Sequence, residues 1–313
     1  MLSRIAESLF WIGRYIERTD GTARLLDVHL QLLLEDPWID EPTACASILG
    51  VMGVGNVDTG RPLSGGDVLA IMAVDRSQPA SIAYSIKAAR ENARQAREIV
   101  PTELWECLNA TYGRMPFGVR REKVHELFQW VRERSALAVG IVESASSRDD
   151  AYQFLLLGRA IERADMTARL LATRSLTEAS GASWTSILRS CGAYEAYIQT
   201  YRGIPSATHA AEFLLLDRLF PRSVLYSVST ALTSLYDLQP RHEQRGRVGF
   251  EDQAQRLLGQ VRSELEYRPV SETISDLPRY MDQVQVAMSD ASEAIRHRYF
   301  PSITAPSWVG DNV

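Results

Sequence analysis

Carboxylates and guanidinium groups recur at fixed spacing near the start of the chain, in Gly13-Arg14-Tyr15-Ile16-Glu17-Arg18-Thr19-Asp20-Gly21-Thr22-Ala23-Arg24-Leu25-Leu26. The pattern returns as Gly158-Arg159-Ala160-Ile161-Glu162-Arg163-Ala164-Asp165-Met166-Thr167-Ala168-Arg169-Leu170-Leu171, with eleven of fourteen positions identical at an offset of 145. Such a set suits two kinds of chemistry. Arg14, Arg18, Asp20 and Arg24, with Arg159, Arg163, Asp165 and Arg169, could hold the carboxylate, phosphate or amine of a ligand through charge-assisted hydrogen bonds. Glu17 and Glu162 could act as acid–base groups, for example on an amine nucleophile. The rival expectation is structural: the two copies face each other and neutralise one another's charge, as buried ion networks that set helix register do.

A second signature also repeats. Asp75-Arg76-Ser77-Gln78-Pro79-Ala80-Ser81 matches Asp217-Arg218-Leu219-Phe220-Pro221-Arg222-Ser223 at an offset of 142. Proline favours a first helical turn, so Pro79 and Pro221 are expected to start helices. Ser81 and Ser223 then fall near free N–H groups that could receive an anion, unless Asp75 and Asp217 cap those donors. Only the first half continues into Ala89-Arg90-Glu91-Asn92-Ala93-Arg94, where Arg90, Arg94 and Arg97 share a face and could bind phosphate or carboxylate. Glu91 and Glu98 make a solvated or partner-facing surface the alternative. Glu122-x-x-His125 has the spacing of a bundle metal motif but lacks a second copy, so no metal and no cofactor are expected. There is no Gly-x-Ser-x-Gly, no phosphate-cradling Walker loop and no His-Glu-x-x-His.

These residues need helices to position them. Apolar residues recur every three or four positions through both motif copies, and no proline interrupts them. Projected at about 100° per residue, Leu9, Ile12, Ile16, Thr19, Ala23 and Leu26 form a core stripe. Gly13, Glu17, Asp20 and Arg24 lie on one flank, and Arg14 and Arg18 opposite. The second copy is apolar nearly all round, so its charges are expected inside the protein, where they need partners. Glu17 with Arg24 and Glu162 with Arg169, two turns apart, are the candidate pairs. Gly13 and Gly158 would let another backbone approach closely. The first helix is expected from Ser3 to Glu35, ended by Asp36-Pro37. Further helices are expected over 67–74, 101–112, 122–144, 149–174, 182–201, 210–218, 221–236, 250–266 and 272–299, with an irregular tail from Pro301. Trp184 and Ile187-Leu188 echo Trp38 and Ile48-Leu49. No alternating strand pattern appears.

Two signatures in one order at nearly one offset predict an all-α, internally duplicated helical bundle of two pseudo-symmetric halves, 1–146 and 147–313, sharing a core. At 313 residues the chain can bury such a core. A net charge of −5 argues against general nucleic-acid binding. Only two of 34 cationic side chains are lysine, Lys87 and Lys123. Cys45, Cys107 and Cys191 fit no metal or disulfide spacing, which suggests a reducing compartment. Charges break the N-terminal apolar run, so neither a signal peptide nor a membrane span is expected, and the expected location is cytoplasmic.

The two Gly-Arg-x-x-Glu-Arg-x-Asp-x-x-x-Arg motifs, Pro79-x-Ser81, Ala89 to Arg94 and Pro221-Arg222-Ser223 together resemble the bacterial alpha-E family, helical proteins named for a Glu-Arg motif. The resemblance spans nearly the whole chain, although the second half lacks an Ala-Arg-Glu-Asn-Ala-Arg equivalent. It implies a place beside, or fused to, an atypical ATP-grasp carboxylate–amine ligase, often with a transglutaminase-like peptidase. The function it implies is peptide or amide-bond formation or modification, with this chain as acceptor-binding subunit or second catalyst. The alternative is a non-catalytic helical scaffold.

Overall fold

A computed structural model describes residues 1–35, 38–55, 57, 59–173, 181–240, 247, 249 and 251–301. Every regular element among them is helical. The first, α1, spans Ser3–Glu35, as its unbroken apolar periodicity predicts; the expected stop at Asp36-Pro37 lies outside the described residues. After it come α2 (Glu41–Val51), capped by the Asp40 carboxylate on the Thr43 N–H, and α3 (Gly65–Leu69), which continues as a π-helical turn over Ala70–Val74. Then α4 (Ile82–Gln95), α5 (Thr102–Arg114) and α6 (Val124–Ala145) complete the first set.

The second motif lies on α7 (Asp150–Ala172), started by Asp149, whose carboxylate accepts from the N–H groups of Ala151 and Tyr152. Next are α8 (Gly181–Ser190), α9 (Tyr194–Tyr201) and α10 (Ala207–Leu216). The chain ends with α11 (Val224–Leu238), α12 (Gln253–Tyr267), α13 (Val270–Ser275) and α14 (Leu277–Tyr299).

Four expected helices are differently bounded, each for a local reason. The stretch 182–201 is two helices, because Gly192 adopts φ +61, a left-handed conformation that closes α8. The stretch 272–299 is also two, since Asp276 leaves helical geometry (φ −132, ψ 47) just before Pro278. Helices do not begin at Pro79 or Pro221. Asp75 and Asp217 turn the chain by accepting from Ser77 N–H and from Leu219 and Phe220 N–H. Ser81 and Ser223 are the true N-caps, accepting from Tyr84 and Tyr226 N–H. The echo of Trp38 in Trp184 also fails, as Trp184 is fully buried and Trp38 exposed.

Helices α1 and α7 form the centre and pack along each other. Helix α1 packs on α4 and α6, with α5 bridging those two; α7 packs on α11 and α14, with α12 bridging those two. One continuous core runs through both groups, from Leu9, Ile12 and Leu26 to Leu157, Ile161 and Leu171. No helix among the described residues is long and apolar enough to cross a membrane.

Candidate functional site

Glycine brings the motif helices together. A Cβ on Gly13 would sit 2.1 Å from the Leu155 carbonyl oxygen, and one on Gly158 would sit 2.0 Å from that of Phe10. No larger residue fits either place, so the close approach expected from Gly13 and Gly158 is realised. Farther along, a Cβ on Gly21 would meet the Met166 side chain at 2.9 Å. Residues 145 apart therefore face each other, an arrangement that requires α1 and α7 to run in the same direction.

That pairing crosses the charges over. Glu162, with its side chain 1% exposed, receives Arg14 Nε at 2.6 Å on one oxygen and Arg18 Nε at 2.5 Å on the other. Arg18 Nη2 adds a third bond at 3.0 Å. Glu17, 3% exposed, has Arg163 Nε at 2.8 Å, Arg222 Nη2 at 3.1 Å and Arg159 Nε at 3.8 Å. The intrahelical pairs expected between Glu17 and Arg24 and between Glu162 and Arg169 do not form. One turn apart is the better reach on a helix, so Arg24 binds Asp20 at 2.9 Å and Arg169 binds Asp165 at 2.7 Å. Each of these arginines also reaches the end of another helix. Arg24 packs on the left-handed Gly192, and Arg169 Nη1 lies 3.5 Å from the Val51 carbonyl.

Electrostatics fixes the protonation of both glutamates. Burial pushes Glu17 up, but Arg222, Arg163 and Arg159 outweigh it and hold the carboxyl down at about 2. Burial likewise opposes Arg18 and Arg14 at Glu162, with the same outcome of about 2. A general base works best with a pKa near the operating pH, and an anion locked by guanidinium groups is far from that. An acid–base role for Glu17 or Glu162 would require these ion pairs to open first. Asp165 differs: burial raises its carboxyl, against the Arg169 charge, and Glu162 adds to the rise.

The other expected contacts are dispersed. Ser81 and Ser223 are fully buried, with hydroxyls that donate to the carbonyls of Asp75 and Asp217 while capping their helices. Both hydroxyls are thus engaged within the fold. Arg90 contacts Glu91, donates to Asn109 and lies over the rings of Trp105 and Tyr112. Arg94 pairs with Glu91, and Arg97 lies 5.5 Å over Trp105. That strip packs α4 against α5; its contacts do not include the motif carboxylates. His125 Nδ1 meets Asp27 at 2.5 Å, and no cluster of three or more potential metal ligands occurs among the described residues.

Arg222 is the contact that sequence reasoning missed. It joins Glu17 to Asp20, with Nη2 at 2.6 Å from the latter. Its signal was available as a difference: Pro221-Arg222-Ser223 carries arginine where Pro79-Ala80-Ser81 carries alanine.

A cavity of about 420 Å³ adjoins the motifs. Arg14 from α1 and Asp165 and Arg169 from α7 face it, with Ser292, Glu293 and Arg296 from α14 opposite. Arg14 Nη1 donates to Ser292 Oγ at 3.0 Å, which ties that wall to the Glu162 cluster.

The model of the alpha-E family, described as a predicted alpha-helical domain with a conserved ER motif, matches residues 1–300. Uncharacterised proteins of Mycobacterium bovis and Mycobacterium tuberculosis are 25% identical over 270 residues, a match covering 75% of this chain and 30% of each relative. The chain thus spans under a third of the curated relatives it matches. No solved structure matches.

Proposed function

The chain belongs to the alpha-E family, and from that premise we propose that it works beside an ATP-grasp carboxylate–amine ligase, holding an amino acid or peptide for amide-bond formation. The cavity facing both motif copies is the observation that carries this reading. It presents cations (Arg14, Arg169, Arg296) and anions (Asp165, Asp290, Glu293) around one space, which suits the carboxylate and ammonium of an α-amino acid. The ligase supplies the chemistry; this chain supplies the acceptor, and a transglutaminase-like peptidase is a further partner. The test is amide-bond formation by the ligase with and without this chain. Arg296→Ala, at the exposed edge of the cavity, should raise the KM for the amino acid and leave kcat unchanged. Equal rates without the chain would overturn the proposal.

A second reading is a non-catalytic scaffold, favoured by the crossed ion pairs, in which each glutamate neutralises arginines of the other motif. Glu17→Gln separates the two: lost stability with full activity in the reconstituted reaction supports the scaffold. We also propose that the chain is an internal duplication, with halves at 1–146 and 147–313. The repeated signatures support this, as do the reciprocal Gly13–Leu155 and Gly158–Phe10 contacts. The free, buried state of Cys45, Cys107 and Cys191 suits a cytoplasmic location.

A further inference from the structure

Helices α11 and α12 leave a groove between them, bordered on one side by Leu156 of α7. It consists of two depressions of about 350 and 410 Å³ that share Thr233, Arg262 and Glu266. Two features of α12 have no use within the fold. Gly259 lines the groove, yet a Cβ there would meet nothing within 4 Å. A mid-helix glycine weakens a helix relative to alanine, and no neighbouring atom requires it here. Gln255 stands on the same wall, 3% exposed, and neither its Oε1 nor its Nε2 has a hydrogen-bond partner. A buried amide without partners is costly, whereas most buried polar groups find one.

We propose that this groove binds a short extended peptide bearing a carboxylate, independently of the cavity assigned above. A primary amide offers one donor face and one acceptor, the pattern that a peptide group complements; a bound peptide would draw the Gln255 amide toward the groove that its side chain lines. Arg262 and Arg218 flank Glu266, at 3.3 and 3.1 Å, so the cluster carries one positive charge in excess. Gln255 and Arg262 are seven residues apart on the helix, about 10 Å at 1.5 Å per residue. Three residues of extended chain cover that distance. The ligand is therefore a peptide whose carboxylate follows the amide held by Gln255 by about three residues. The excess charge is too small, and the chain too acidic overall, to favour a nucleic acid.

The experiment uses the whole chain and two randomised tetrapeptide mixtures, N-acetylated, one with free C-terminal carboxylates and one amidated. Saturation-transfer NMR reads binding, and circular dichroism reads folding. Wild type should give a signal with the free carboxylates that falls at least fivefold with the amidated mixture. Gly259→Leu fills the groove and Gln255→Leu removes the amide; both should abolish the signal while the Tm stays level or rises. No signal from wild type, or equal signals from wild type and both variants, would overturn the proposal.

Discussion

The two motif glutamates are nearly the same residue placed twice, and their surroundings differ in one instructive way. Glu162 meets two arginines of α1 and receives three well-directed hydrogen bonds. Glu17 meets three arginines, yet its Oε1 and the Nε atoms of Arg159 and Arg163 lack hydrogen-bond geometry. Arg222 accounts for the contrast. It spends its directed hydrogen bond on Asp20 and adds only charge to Glu17, and a cavity of about 20 Å³ beside Glu17, Arg163 and Arg222 marks the looser packing. Coulomb attraction serves both glutamates, whereas only Glu162 has its lone pairs matched by donors. The arginines of Glu17 also have other partners, since Arg222 keeps Asp20 and Arg159 reaches Glu143 at 3.5 Å.

Removing each carboxylate is the strongest way to break this comparison. Glu162→Ala removes the hydrogen-bonded counter-charge of the largely buried Arg14 and Arg18, a change that costs about 3–5 kcal/mol. Glu17→Ala strands Arg163 alone, so its loss should be smaller, about half as large. Urea unfolding of the two variants measures both, and equal losses would show that directed hydrogen bonds add nothing to the charge. The glycines provide the symmetric control. Gly13→Ala and Gly158→Ala each force a methyl group onto a backbone oxygen, an overpacking cost of typically about 1–3 kcal/mol. They should match each other, and a clear difference in Tm would mean that the two contacts relax unequally.

How much of this was legible in the sequence follows from which interactions are local. The span of α1 and the all-helical character of the described residues rest on periodicity and turn residues, and they could be read directly. The glycines announced a close approach because nothing else explains a glycine in the middle of an apolar helix. Partner choice was another matter. The projected flank placed Glu17 with Arg24, but an arginine one turn from Asp20 has the shorter reach, and the crossing of α1 with α7 offered Glu17 the arginines of α7. A helical projection carries no information about a neighbouring helix. Ser81 and Ser223 show a related limit. Their hydroxyls lie at helix starts, as expected, but each cap also donates to the carbonyl six residues back and is thus engaged within the fold.

Arg222→Ala sharpens the comparison with a single change, since it gives the second Pro-x-Ser signature the alanine found at position 80. Glu17 would keep Arg163 and Arg159 and would come to resemble Glu162 in its partners. The expected loss is about 1 kcal/mol, read by thermal melting, because the variant removes one charge from a site that holds an excess. A loss as large as that of Glu17→Ala would identify Arg222 as the main counter-charge.

The smallest effects concern the two aspartates, and pH gives their sign. Both glutamates have folded pKa values near 2, below their ordinary 4.5. Their contribution is present above pH 4.5 and is lost as pH falls from there toward 2, because the unfolded chain then takes up protons that the fold refuses. Asp165 runs the other way. Burial raises its pKa above 3.8, so the fold binds that proton more readily than the unfolded chain does. Its ionised form costs stability at neutral pH, and the cost fades as pH falls through the raised value. Asp20 has Arg24 and Arg222 both at hydrogen-bond distance, whereas Asp165 has Arg169 at that distance and Arg14 farther off. Asp165→Asn should therefore change stability at pH 7 by no more than about 0.5 kcal/mol, the ordinary scatter of mild substitutions. Asp20→Asn should cost more than that but less than Arg222→Ala, about 0.5–1 kcal/mol. Melting curves from pH 7 downward test the pair: the gap between the variants should narrow as Asp165 takes up its proton. Equal losses at every pH would mean that Arg222 does not distinguish the two halves of the site.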